Sequence, residues 1–147
     1  MKNGLLIALI LLVAACAKKE TSTESPTNFE GAVKLDQYMV EGQQLYVQYC
    51  ANCHQSNGEG LGELYPPLAK SDYLQNSVDG AACIIKYGMS GSLTVNGVEY
   101  NQPMPGFKSL SPLEIAELIT YITNSWGNDN GLTDVLAVES YLANCEK

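Results

Sequence analysis

Cys50, Cys53 and His54 stand in the run Cys50-Ala51-Asn52-Cys53-His54. On a helical turn, positions i, i+3 and i+4 share one face, so two thiols and an imidazole point the same way. Two thiols at this spacing can form thioethers with the two vinyl groups along one porphyrin edge. The imidazole, one residue on, reaches under the ring to the iron. The pattern is the attachment signature of c-type haem, and a neutral imidazole is a standard proximal ligand. His54 is the only histidine in the chain, which excludes a bis-histidine iron. A thioredoxin-like redox pair would want a βαβ setting, and none is legible. A zinc site would want two more ligands at short spacing, and the other cysteines, Cys16, Cys83 and Cys145, lie far off.

A fast one-electron iron then needs a sixth donor that is not histidine. Gln102-Pro103-Met104-Pro105-Gly106-Phe107 carries a methionine between two prolines, whose fixed φ stiffens the loop. Met104 is the expected ligand. Met89, between Gly88 and Ser90-Gly91, is the competitor on a freer stretch, and Met39 falls in the first helix, out of place. A ligating histidine usually gives its second ring N–H to a carbonyl or carboxylate. Tyr65-Pro66-Pro67-Leu68 makes Pro66 the candidate partner of His54, with a plain rigid turn as the alternative. Tyr100 and Trp126 are candidate donors to the haem propionates.

The chain has 147 residues and is 46% hydrophobic, enough for one small domain. Its formal charge is -8 and it contains no arginine. Nucleic acid and anionic lipid surfaces are therefore poor partners by charge. The absence of arginine and of a second histidine also leaves no group to assist peroxide cleavage. A small-molecule substrate is not expected.

Met1-Lys2-Asn3 precedes an apolar run, Gly4 to Leu12, and then Val13-Ala14-Ala15-Cys16. The run is too short for a comfortable membrane span and has the form of a secretory signal. Small residues directly before a cysteine resemble a bacterial lipobox, so cleavage before Cys16 and its lipidation are expected. Residues 1–15 are read as the signal, and 16–36, rich in Lys, Glu, Ser and Thr, as a flexible tether reaching about 25 Å. The mature protein is then expected outside the cytoplasm, in the bacterial envelope, anchored to a membrane and facing the periplasm. With Cys16 assigned to lipid and Cys50 and Cys53 to haem, Cys83 and Cys145 remain, and in an oxidising compartment they are expected to pair.

The elements that must hold these residues follow from periodicity. Tyr38, Gly42, Leu45, Tyr46, Tyr49 and Cys50 form one stripe of a helix ending at the haem motif. Gln55 to Gly62 reads as a loop. Ser77 begins a short helix that Gly88 ends. Leu93-Thr94-Val95 and Val98-Glu99-Tyr100 flank Asn96-Gly97, a two-residue hairpin signal. Ser111-Pro112-Leu113-Glu114 is a capping box with proline at the first helical position. Ile115, Leu118, Ile119, Ile122 and Trp126 continue it, with Gly127 as its end. Thr133 is read as the cap of a last helix.

Over roughly residues 37–127 the chain resembles a class I cytochrome c, in its monohaem form with histidine and methionine ligands. The haem motif near the start and the methionine late keep that family's order. Gly42 and Tyr46 match the glycine and aromatic of its first helix, and Leu118 and Tyr121 the contact residues of its last. Pro66 matches the proline that receives the histidine N–H, and Met104 the distal ligand. The resemblance implies an all-α fold around one covalent haem c, here with a small β-hairpin insertion, and single-electron transfer between protein redox partners rather than catalysis. The electron-entry subunit of an oxidase or reductase is the alternative, and a haem peroxidase or gas sensor a further one. The hairpin and the helical tail, residues 128–147, with Cys83 and Cys145, depart from the family pattern.

Overall fold

A computed structural model describes residues 26–145; the expectations for residues 1–25, Cys16 among them, lie outside the described residues. Helix α1 runs Pro26–Tyr49, α2 Ala51–His54, α3 Asp72–Asn76 and α4 Val78–Tyr87. Two-residue β1, Gly88–Met89, and the hairpin β2, Leu93–Val95, with β3, Val98–Tyr100, follow. Then come β4, Met104–Pro105, α5, Pro112–Thr123, and α6, Val135–Ala143. β2 pairs antiparallel with β3, and β1 with β4. Asn96 and Gly97 both take positive φ, 51° and 78°, as the expected hairpin turn requires.

The core forms where α1 crosses α5. Tyr38 and Tyr46 come from α1, Cys50 from the junction of α1 and α2, and Ile115, Leu118, Ile119 and Ile122 from α5, all buried. Gly42 marks the crossing: a Cβ there would collide with the Glu117 carbonyl and stand 2.7 Å from Tyr121 Cβ. Close helix approach is therefore the reason for glycine inside this helix. Gly42→Ala is expected to cost about 1–3 kcal/mol by overpacking, despite a helix-propensity gain of about 1 kcal/mol. An earlier urea midpoint with an unchanged m-value would register it.

Three boundaries differ from those read in the sequence. α1 begins at Pro26, so residues 26–36, read as tether, are helical. Adding residues to an existing helix avoids the nucleation cost, and Lys34 Nζ meets Asp134 Oδ2 at the start of α6 and lies 5.4 Å from the Tyr38 ring centroid. α5 stops at Thr123, short of Trp126 and Gly127. There Thr123 Oγ1 and Asn124 Nδ2 donate to the Ile119 and Thr120 carbonyls, side-chain bonds that compete with further helix. α6 is capped by Asp134, whose Oδ1 accepts from Leu136 N, not by Thr133, whose backbone is bound to the Thr120 hydroxyl. The tail is part of the core, since Val138 is fully buried there. The Ser111–Glu114 capping box forms as expected.

Candidate functional site

The five-residue motif winds up at the end of α1. Cys53 N and His54 N both bond to the Cys50 carbonyl, at 3.1 and 2.9 Å, which puts the two thiols and the imidazole on one turn. Cys50 is buried and Cys53 half-buried, and neither is in a disulfide. Burial pushes the Cys50 thiol up to about 12, and nearby Cys53 adds to the effect.

His54 is buried, and its Nδ1 lies 3.0 Å from the Pro66 carbonyl. Only a protonated Nδ1 can donate there, so the lone pair belongs to Nε2. Burial lowers the pKa of His54 and the Pro66 carbonyl opposes it less strongly. The ring is thus held in the neutral form that binds metal.

Two apolar cavities share His54, Pro66, Ile84, Leu93 and Met104 on their walls. The inner one, about 590 Å³ with its mouth, adds Cys50, Ile85, Leu118 and Ile122. The outer one, about 520 Å³, adds Cys53, Tyr65, Met89 and Tyr100. Together they make one apolar slot with one thiol on each part. A neutral imidazole, a thioether and two thiols around such a slot fit a covalently held haem.

Met104 reaches the slot because β4 lies against the end of α4. Met104 pairs with Met89 across β4 and β1, and Phe107 N bonds to the Ile85 carbonyl at 2.9 Å. Gly106 allows this approach, since a Cβ there would strike the Tyr87 and Gly88 backbone. The reading of Met89 as lying on a free stretch is corrected: it is strand-paired and lines the outer cavity.

The hairpin, read as an insertion, is a wall of the slot. Leu93 and Val95 line it, and the turn is clamped to the start of α3 by Asn96 N→Asp72 Oδ1 and Asp72 N→Asn96 Oδ1, 2.7 and 3.0 Å. Periodicity found the strands, but no sequence signal showed which face would meet the cavity. Tyr100 stands at the outer cavity, whereas Trp126 does not line the slot. It packs against Tyr46 and Tyr121, ring centroids 5.0 and 5.4 Å away, and is corrected as a candidate for the propionates. Cys83 on α4 and Cys145 after α6 are joined in a disulfide outside the slot. Among the described residues no helix is long and apolar enough to cross a membrane, and no group of histidine, cysteine and acidic residues forms a separate metal cluster.

The family described as Cytochrome c matches residues 39–126. The chain is 35% identical over 93 residues to "Cytochrome c-552" of Thermus thermophilus, across 60% of this chain and 70% of that one. It is 36% identical over 92 residues to "Alcohol dehydrogenase (quinone), cytochrome c subunit" of Gluconacetobacter polyoxogenes, across 60% of this chain but 19% of the relative. It is also 27% identical over 158 residues to "Fructose dehydrogenase cytochrome subunit" of Gluconobacter japonicus, across 92% of this chain and 32% of that one.

Proposed function

Because the chain belongs to the cytochrome c family, a family of electron carriers that hold haem c covalently, we propose that it is a membrane-anchored carrier of single electrons between extracytoplasmic respiratory proteins. One observation carries the electron-transfer part of this reading: His54 and Met104 both line the same apolar slot, so a haem held there would find two protein ligands for its iron and would leave no position for a substrate. Cys50 and Cys53 would hold the haem, and His54 Nε2 and Met104 would ligate its iron. When bound, the haem supplies a one-electron couple between Fe(II) and Fe(III).

The chain's own groups then set how that couple works. The Pro66 carbonyl fixes the His54 ring and its tautomer. The Met104 thioether is a soft, neutral donor that favours the reduced iron and raises the potential. The apolar walls from α4, α5 and the hairpin keep water out, which limits reorganisation during transfer. Leu61 and Leu64 are exposed just ahead of Tyr65 and Pro66, with exposed Glu59 and Glu63 beside them. With a net charge of -8, this loop suits a partner with an apolar centre and a basic rim.

The relatives named as cytochrome subunits of dehydrogenases support a second reading, in which the chain is the electron-entry subunit of such a complex. Fractionation tests both. Wild type is expected in the membrane fraction and Cys16→Ser in the soluble fraction with its haem; a mature N-terminus without acyl groups would refute the anchor. A dehydrogenase or oxidase that travels with the protein through mild detergent would favour the subunit reading over a free shuttle.

A further inference from the structure

Gln55, directly after His54, stands at φ 63°, ψ 159°, a conformation nearly confined to glycine. Such strain persists only where the surroundings over-determine it, and it clusters beside functional groups. Two donors hold the residue in place. Its carbonyl accepts the Tyr46 hydroxyl at 2.5 Å and Gly58 N at 3.1 Å. The Gly58 carbonyl in turn accepts Leu68 N and Ala69 N, at 2.7 and 2.8 Å. This ladder closes the loop that brings Pro66 back to His54 Nδ1.

Tyr46 is fully buried, its ring held between Tyr121 and Trp126 at centroid distances of 5.5 and 5.0 Å. Packing α1 against α5 needs only that ring, and phenylalanine would supply it. A buried hydroxyl spent on the carbonyl next to the haem ligand asks for a separate reason.

We propose that the Tyr46 hydroxyl is a positioning group for His54: it locks the strained turn at Gln55, and through that turn it sets the His54–Pro66 hydrogen bond and the potential of the iron. The proposal rests on His54 being the iron ligand. A firm Nδ1–H···O=C bond makes the imidazole more basic, which favours Fe(III). Loosening the turn weakens that bond and moves the potential up.

The full-chain holoprotein is the sample. In the ferrous state, NMR follows solvent exchange of the His54 Nδ1 proton, and voltammetry gives the midpoint potential. Tyr46→Phe is expected to speed the exchange roughly five- to tenfold, as the loss of one buried hydrogen bond implies, and to raise the midpoint. Gln55→Gly removes the strain itself, so adding it to Tyr46→Phe is expected to return both readouts towards wild type. Tyr121→Leu, which loosens the same aromatic cluster but keeps the hydroxyl, is expected to lower thermal stability with exchange and potential unmoved. If Tyr46→Phe lowers stability alone, or if Tyr121→Leu moves the potential as far, the hydroxyl has no positioning role. If the wild-type spectrum shows no haem-bound histidine, the ligand assignment fails first and this proposal with it.

Discussion

Met104→Ala is expected to lose the red-region charge-transfer band of methionine-ligated ferric haem, to lower the reduction potential, and to open the iron to carbon monoxide. Axial ligands spread haem potentials over roughly 0.8 V, so the drop is expected to be on the order of 0.1 V or more. Met89→Ala is the control, expected to leave all three readouts near wild type. The two residues face each other across β1 and β4, and directly opposed side chains in an antiparallel pair share a face. Backbone order therefore does not separate them. The slot does: Met104 lines both of its parts with His54, whereas Met89 touches only the outer one. Pro103 and Pro105 further restrict the Met104 backbone. A band lost in Met89→Ala and kept in Met104→Ala would reverse the assignment.

Replacing both Cys83 and Cys145 with serine is expected to produce the largest loss of stability. Their disulfide spans 62 residues in sequence, and in the chain-entropy account a loop of that length is worth about 4 kcal/mol. For a domain of this size the thermal midpoint should fall by roughly 10–20 °C. The bond ties α4, whose Ile84 and Ile85 line the slot, to the end of α6. The haem spectrum at 25 °C is expected to stay near wild type, because neither cysteine lines the slot. Unchanged melting would show that the packing of Val138 and its neighbours already holds the tail. Alkylation of the denatured, unreduced holoprotein is expected to label neither cysteine, and strong labelling of Cys83 would refute the pairing in the native protein.

The sequence by itself determined most of the chemistry, because that chemistry is local. A five-residue motif is wound by one helical turn, so Cys50, Cys53 and His54 had to share a face. The Ser111 capping box and the Asn96-Gly97 turn are equally short-range, and both formed where their residues stand. The single histidine and the proline-flanked Met104 narrowed the ligands without any fold. Tertiary structure decided everything that depends on distant segments meeting. Trp126 had the right period for α5, yet side-chain bonds at Thr123 and Asn124 end the helix first and turn the indole into the aromatic cluster. Residues 26–36 follow a polar stretch that signals no packed helix, but they continue α1, and Lys34 finds Asp134 a hundred residues on. Met89 was judged by its flexible neighbours, and only the pairing of β1 with β4 brought it beside Met104. The hydrogen bond from Tyr46 to Gln55 left no trace in periodicity either, because a buried hydroxyl and a strained φ are set by the packing around them.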